Sequence, residues 1–328
     1  MLQSQRISLV VPTCEEIFYL GEIWRDRAMP ARLFAPHLDL VAAAHNKFQF
    51  IEMVRAMGLR APETRLLVSR ADLEELGRQT TDLVFKPVWS RFASHTLLRP
   101  HYTDLLHVQP TSSSPWVAQS FIDGDEISVY AIAVEGRLKA AAFYRSLYRA
   151  GKGAGICFEM VTAPAARGFV ETFAEKTGWT GQLSFDLMCD TDGTVWPLEC
   201  NPRATSGVHF FHQPAAFIAA CLGAADEVKP DIEGMQGSRL AMWIYGLPQA
   251  FRRKQLGAFF RDLRRMDDIF TWDGDNLSAS AQWKAFAEII GIAFRERISP
   301  QQAATRDIEW NGPAQSSMEA LRDTSIAE

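Results

Sequence analysis

Strict alternation between apolar and polar residues near the middle of the chain constrains the fold more than any other feature. Every second residue from Leu183 to Cys189 is apolar, and alternation resumes at residues 194–199 after an Asp-Thr-Asp-Gly sequence. A period of two predicts a β-strand with one buried face, and Asp-Gly is typical of a tight turn between antiparallel strands. The segment therefore predicts a β-hairpin.

The register of this hairpin brings two carboxylates together. A type I′ turn centred on Asp192 and Gly193 fixes which residues face each other. The predicted pairs are Asp186 with Glu199, Leu187 with Leu198, and Cys189 with Trp196. One face is then apolar, while the other carries the two carboxylates and Asn201. Facing residues have Cβ atoms about 5 Å apart, and like charges at that distance are destabilising.

Two interpretations of the carboxylate pair are open at this point. In the first, both side chains face solvent and merely tolerate each other. In the second, a hard divalent cation, Mg²⁺ or Mn²⁺, lies between them, because carboxylate, amide and phosphate oxygens suit such an ion. Asn201 then supplies the amide oxygen, and Arg203 is placed to clamp a phosphate oxygen.

The composition excludes several classes of protein. Of the 328 residues, 47% are apolar and 22% charged, as in soluble globular proteins rather than disordered or fibrous ones. The 39 acidic residues outnumber the 34 basic ones, giving a net charge of −5, so nucleic acid is not expected as a partner. Five widely spaced cysteines predict reduced thiols rather than a disulfide framework.

The sequence predicts neither export nor membrane insertion. The first six residues lack an apolar signal core, and the weakly polar stretch at residues 214–225 is too short to span a bilayer. A cytoplasmic location without a membrane partner is the default expectation, and a homodimer is compatible with the sequence.

The remaining pattern divides the chain into four regions. We expect a short β-α-β segment at residues 1–45, a small α/β subdomain at 46–115, a larger one at 116–240, and a helical region at 241–328. The clearest helix runs from a cap at Asn46 to Met57, with Gly58 as its stop. Further strands are predicted at residues 83–86, 116–122, 127–134 and 138–144, and a further helix at 165–177.

The most specific motif joins Asp186 to Glu199-Cys200-Asn201-Pro202-Arg203, which starts thirteen positions later. This pattern resembles the metal-binding signature of the ATP-grasp superfamily in its E-x-N-P-R form. Three more segments agree with the family in order and spacing: Asn46-Lys47-Phe48, Val84-Phe85-Lys86-Pro87, and residues 119–126.

The resemblance implies how a nucleotide would be bound. Gln119 would meet the adenine edge, the main chain of Phe121 and Ile122 would lie beside the ring, and Glu126 would contact the ribose. The implied fold is α/β (α+β), with two α/β subdomains whose antiparallel sheets clasp ATP, plus the N-terminal segment and the helical C-terminal region.

The resemblance also implies which groups meet the phosphates. Lys47, Lys86 and Arg203 would neutralise them together with one or two Mg²⁺ ions. Residues 89–95, after the strand lysine, contain no glycine, so we expect the side chains of Ser90 and Ser94 to assist. The glycines at residues 151–155 are the expected lid in place of a glycine-rich phosphate loop.

The implied reaction is ADP-forming ligation of a small-molecule carboxylate to an amine through an acyl phosphate. Asp186, Glu199 and Asn201 would hold the metal, and Arg145 and Arg203 are the candidates for stabilising a tetrahedral intermediate. The glycine-free loop also favours an alternative, a nucleotide-binding protein that regulates or scaffolds without turnover. A carboxylase or an ester-forming enzyme is a third possibility.

Overall fold

The computed structural model describes residues 2–77, 79–90, 95–151, 153–272, 279–305, 310 and 312. Ser94 therefore lies outside the described residues, as does residue 152 of the expected lid. The described part is a mixed α/β structure with largely antiparallel sheets, which confirms the predicted fold class.

The N-terminal segment forms the small β-α-β unit that the sequence predicts. Its elements are β1 (Leu9–Val10), α1 (Glu16–Arg25), β2 (Arg32–Leu33) and α2 (Leu38–His45). β1 and β2 pair in parallel. α2 is an addition to the prediction, because its run of apolar and alanine residues lacks the polar face that marks an amphipathic helix.

The capped helix is confirmed as α3 (Lys47–Ala56). The Asn46 side chain accepts hydrogen bonds from the main-chain N–H groups of Phe48 and Gln49, which satisfies donors that a helix start leaves unpaired. Gly58 follows with a φ of 76°, a conformation that glycine adopts without strain. The cap fixes Lys47 as the first residue of the helix.

A small sheet follows, with the strand order β3-β6-β4-β5 among the described residues. Its elements are β3 (Thr64–Leu67), α4 (Arg70–Glu75), β4 (Leu83–Pro87), β5 (Leu97–Leu98), a 3₁₀ turn (Tyr102–Leu105) and β6 (Trp116–Ser120). Phe85 and Ala118 point into the core on one face, so alternation directs Lys86 and Gln119 to the other. β6 pairs with β3 and β4 in this sheet, and the subdomain boundary expected at residue 115 stays a prediction.

The larger sheet contains the hairpin. Its central elements are β7 (Asp125–Val134), β8 (Arg137–Ala150), β9 (Ala154–Met160), α5 (Pro164–Thr177), β10 (Gly181–Cys189) and β11 (Val195–Asn201). α5 covers one face, where Phe169 and Phe173 pack against Phe185. On the opposite face, register aligns Glu199, Asp186, Ser128 and Tyr144 in one row across four strands.

The rest of the chain is mainly helical but completes this sheet. Its elements are α6 (Pro214–Cys221), β12 (Met235–Gly237), α7 (Arg239–Ala241), α8 (Leu247–Arg252), α9 (Leu256–Arg265), β13 (Met266–Asp268), α10 (Ala279–Glu296) and α11 (Pro300–Thr305). In the described residues the sheet has seven strands in the order β11-β10-β7-β8-β9-β12-β13. None of the described helices is long and apolar enough to cross a membrane.

The hairpin register agrees with the prediction at one end and differs at the other. Asp186 pairs with Glu199, as predicted, but Leu187 pairs with Pro197. The predicted pairs Leu187–Leu198 and Cys189–Trp196 are therefore wrong. The turn is one residue longer than predicted, because Asp190 donates its N–H to the carbonyl of Thr194, and Leu198 is the extra residue of a β-bulge.

Candidate active site

The predicted carboxylate pair faces one side of the large sheet, near its β11 edge. Ser128 on β7 donates its hydroxyl to Asp186 Oδ1 at 2.8 Å. Burial raises the pKa of Asp186 above its ordinary value, and the negative charges of Glu199 and Glu126 raise it further. The pair therefore holds a proton most readily on Asp186.

Glu199 differs from its neighbour because two lysines compensate its charge. Burial would raise the pKa of Glu199, but the ammonium groups of Lys47 and Lys86 hold it below its ordinary value. Lys47 Nζ lies 3.4 Å from Glu199 Oε2, and its side chain is only 3% exposed. It also donates to the carbonyl of Ser90 at 2.7 Å.

Lys86 connects the small sheet to the large one through the β-bulge. Its Nζ donates to the carbonyl of Leu198 at 3.0 Å, an acceptor that the bulge withdraws from regular strand pairing. Burial lowers the pKa of Lys86 to about 8, the charge of Lys47 acts in the same direction, and Glu199 and Asp186 oppose both. A buried ammonium needs negatively charged or acceptor partners, and a phosphate oxygen is a further partner of that kind.

The donor set fits a hard divalent cation. Asp186, Glu199 and Asn201 offer carboxylate and amide oxygens, and a cation would offset the burial and the neighbouring negative charges that raise the pKa of Asp186. Within the described residues, no group of three or more His, Cys, Asp or Glu side chains forms a metal cluster. Two carboxylates with an amide suit Mg²⁺, which usually completes its coordination with water and substrate phosphates.

The predicted adenosine contacts lie along β6 and the linker to β7. Gln119 is 1% exposed and donates Nε2 to Thr64 Oγ1 at 3.1 Å. Phe121 and Ile122 lie in the linker between the two sheets, where the N–H of Phe121 donates to the carbonyl of Asp82 at 2.8 Å. Glu126 shares the face of Asp186 and pairs with Arg149.

The loop residues have structural partners of their own. Ser90 Oγ donates to the carbonyl of Pro87 at 3.2 Å, so this serine shapes the loop as well as accepting from Lys47. The glycine-rich segment is the turn between β8 and β9, where Arg149 donates to the carbonyl of Gly153 at 2.9 Å and to Glu126 Oε1 at 2.7 Å. The sequence does not predict β9. Because β9 pairs with β8, the described residues of the expected lid lie at the end of a hairpin.

The two candidate arginines occupy different places. Arg203 is largely buried; its Nη2 donates to Asn201 Oδ1 at 3.3 Å, and its Nε lies 3.7 Å from Glu15 Oε1. Arg145 is 57% exposed and pairs with Glu159 at 2.8 Å. Since Tyr144 lies in the row of Asp186, alternation directs Arg145 to the opposite face. The structure therefore brings Arg203, but not Arg145, to the carboxylate pair.

A chain of hydroxyl groups supports Arg203 and is not part of the predicted site. Tyr144 donates to Thr205 Oγ1 at 3.2 Å, Thr205 to Ser184 Oγ at 3.0 Å, and Ser184 to the carbonyl of Arg203 at 2.8 Å. The alternation does place Ser184 and Asp186 on one face, so the sequence contains a signal for Ser184. Glu15 has no such signal, because it reaches Arg203 through tertiary packing.

Comparison with known proteins identifies the family of this chain. The sequence profile of the ATP-grasp domain matches residues 44–207, half of the chain. The chain belongs to the ATP-grasp superfamily. The match includes both lysines, the linker and the E-x-N-P-R motif. A search of curated proteins finds no match.

Solved ATP-grasp structures share the fold at low sequence identity. Phosphoribosylamine–glycine ligase from Thermotoga maritima is 18% identical, with a TM-score of 0.51 over 62% of this chain and 60% of that one. Carboxyaminoimidazole ribonucleotide synthase from Aspergillus clavatus, complexed with ATP, is 14% identical, with a TM-score of 0.54 over 70% and 64%. The biotin carboxylase domain of 2-oxoglutarate carboxylase from Hydrogenobacter thermophilus, complexed with MgADP, ADP and bicarbonate, is 10% identical, with a TM-score of 0.52 over 67% and 55%. The matched region thus spans less than two thirds of each of these proteins.

Proposed function

We propose that this protein is an ATP-dependent, ADP-forming ligase that activates a carboxylate as an acyl phosphate for attack by an amine. The observation that carries the proposal is the meeting of Asp186 and Glu199 with two buried lysines where the two sheets join. The opposed carboxylates are suited to bind a metal cation, and the buried ammonium groups beside them are suited to bind phosphate oxygens. Together they form a site suited to a nucleoside triphosphate and its metal.

Each part of the site has a role in this reaction. Lys47 and Lys86 bind the phosphates, and Gln119 with the linker at Phe121–Ile122 binds the adenine. Asp186, Glu199 and Asn201 would hold Mg²⁺ or Mn²⁺, which when bound neutralises charge on the transferred phosphoryl group. Glu126 is the proposed ribose contact, and it would exchange its ion pair with Arg149 for that role.

The chemistry divides into two transfers. An oxygen of the substrate carboxylate attacks the γ-phosphorus of ATP, and the bond to the ADP oxygen breaks. The amine nitrogen then attacks the acyl carbon, the bond to the phosphate oxygen breaks, and the amine loses a proton as phosphate leaves. Lys86 and Arg203 are the groups placed to stabilise the negative charge of the two transition states.

The test is release of ADP and phosphate from MgATP in the presence of pooled amino acids and carboxylic acids. Turnover that depends on the added acids supports the proposal, and Lys86→Met is expected to abolish it. Lys139→Met is the matched control, since Lys139 also donates to a main-chain carbonyl, that of Ala225 at 3.0 Å, on the same large sheet.

Failure of this test would take a specific form. ATP binding that requires Lys86, without turnover in any mixture, contradicts the ligase and supports a regulatory or scaffolding protein of the same fold.

A further inference from the structure

An aromatic cage lies beside the proposed phosphate site, and a tryptophan from the far end of the chain fills it. Its walls are Phe18 on α1, His45 at the end of α2, and Trp89 in the loop after β4. The ring of Trp310 stacks on Phe18 with centroids 3.9 Å apart and planes 6° apart. It meets Trp89 edge-on at 5.0 Å and His45 at 6.2 Å.

The main chain of Trp310 is held as specifically as its ring. Its N–H donates to Glu15 Oε2 at 2.9 Å, and Glu15 is 1% exposed. Arg203 Nε lies 3.7 Å from the other oxygen of that carboxylate. Two residues further on, Gly312 passes so close to Trp89 that a Cβ there would lie 2.7 Å from the indole nitrogen.

The wall of the cage also contains a polar atom that the protein does not use. His45 is 3% exposed, and within the described residues its Nδ1 has no hydrogen-bond partner. Burial lowers the pKa of His45 to about 3, with further lowering from Lys47 and Arg203, so the ring is neutral. A buried polar atom without a partner costs stability, and a ligand that satisfies it would recover that cost.

We propose that this cage is the subsite for an α-amino acid with an aromatic side chain, and that Trp310 occupies it as a built-in competitor. The inference rests on the proposed ligase function and names its substrate class. The substrate ammonium takes the place of the Trp310 N–H at Glu15, its carboxylate lies toward Arg203, and its ring stacks on Phe18.

The position of the cage suits this role. Trp89 directly precedes Ser90, whose carbonyl accepts from Lys47, and Arg203 contacts Asn201 of the proposed metal site. An amino-acid carboxylate near Arg203 would therefore lie next to the phosphates that activate it. Stacked and edge-on aromatic contacts favour planar rings over aliphatic side chains, and the acid–base pair favours a zwitterion.

The first experiment removes the competitor. Trp310→Ala in the full chain is expected to tighten the binding of L-tryptophan and L-phenylalanine by about tenfold or more in calorimetric titration, because an occupied site reduces apparent affinity by its free fraction. L-Alanine and L-glutamate should bind weakly to both proteins. Trp283→Ala is the matched control, since this tryptophan is 56% exposed on α10 and packs against Phe286.

The second experiment tests the polar contacts with analogues. Indole-3-propionate lacks the ammonium and tryptamine lacks the carboxylate, so each should bind Trp310→Ala at least tenfold more weakly than L-tryptophan. Glu15→Gln in the Trp310→Ala background should remove the preference for L-tryptophan over indole-3-propionate. Equal affinities for all three compounds would overturn the assigned polar contacts.

The outcomes separate this inference from the proposed function. Amino-acid-dependent ADP release that prefers non-aromatic substrates, and that Trp310→Ala leaves unchanged, overturns the cage while the ligase stands. Tighter binding of aromatic amino acids to Trp310→Ala, without ADP release in any mixture, supports the cage and contradicts the ligase.

Discussion

The charged cluster and the aromatic cage lie side by side but are built in different ways. Asp186 and Glu199 face each other because the two strands of one hairpin pair directly at this position. The cage takes one residue each from α1, α2, the loop after β4 and the C-terminal segment. Pairing within one hairpin fixes the two carboxylates locally, whereas the cage exists only when distant parts of the chain have packed together.

The two regions also differ in what holds them. The cluster gathers like charges that destabilise the fold until cations compensate them, so its geometry serves binding at a cost in stability. The cage buries aromatic rings, which stabilises the fold directly. We therefore expect substitutions of the two carboxylates to reduce turnover, and truncation of the cage residue Phe18 to reduce stability without loss of ATP binding.

The largest expected effect is on turnover in the cluster. Asp186→Asn and Glu199→Gln should each reduce ADP release by about 10³-fold or more, because each removes a charge of the proposed metal site. Asp192→Asn, in the exposed turn of the same hairpin, should change it less than twofold. Turnover close to that of the unmodified protein in both variants would contradict the assignment of the metal site.

The same two substitutions should have different effects on the free energy of unfolding. Glu199→Gln leaves Lys47 and Lys86 buried without their counter-charge, and should lower the free energy of unfolding by about 3 kcal/mol. Asp186→Asn removes a carboxylate whose pKa is raised in the fold, and should leave stability unchanged or higher. Urea unfolding at pH 7 without nucleotide or metal measures both, and equal losses would contradict the asymmetry of the pair.

In the cage, Phe18→Ala should lower stability by about 3 kcal/mol, because it empties a site that is 1% exposed. ATP affinity should change less than twofold, since the ring of Phe18 contacts His45 and Trp310, which are not proposed nucleotide residues. Tyr19→Ala, at a 49% exposed neighbouring position, serves as the control in the same urea titration. A large loss of ATP affinity in Phe18→Ala would contradict the independence of the two regions.

The smallest effect concerns pH. The folded pKa of His45 is about 3 against an ordinary 6.5, because of burial and the charges of Lys47 and Arg203, with Glu199 opposing them. His45 therefore contributes full stability above pH 6.5, and the contribution is lost as pH falls toward 3, because only the unfolded chain takes up the proton. Lowering the pH from 7.5 to 5.5 should remove about 1.4 kcal/mol of this His45 contribution, while protonation of Asp186, whose pKa is raised, acts in the opposite direction.

Two histidine variants test this dependence. His45→Gln should lack the loss, and His37→Gln should retain it, since His37 is exposed. An unchanged pH dependence in His45→Gln would show that other groups cause it.

The sequence predicts the cluster better than the cage for a physical reason. Alternation and an Asp-Gly turn predict the hairpin and the face that carries Asp186 and Glu199, and the predicted pairing of the two holds because a longer turn and a bulge offset each other. The bulge at Leu198 escapes prediction, because Pro197 suits an edge strand with or without an extra residue. The longer turn accounts for the wrong pairs near it, and the bulge at Leu198 restores the predicted pairing of Asp186 with Glu199.

The cage escapes prediction for a different reason. Phe18 and Trp310 are nearly three hundred positions apart, and no spacing rule relates them. An aromatic residue in a helix is equally compatible with a core, a surface or a binding site, so only tertiary packing distinguishes these roles. Glu15 illustrates the limit, because a glutamate at a helix start reads as a favourable charge near the helix dipole.

The displaced carbonyl of Leu198 has a mechanical consequence. Lys86 of the small sheet donates a hydrogen bond to this carbonyl at the edge of the large sheet. The two sheets therefore cannot separate without breaking this bond. The rate at which the two sheets separate to exchange ADP for ATP should therefore depend on Leu198. Deleting Leu198 from β11 would remove the bulge and uncouple the two sheets.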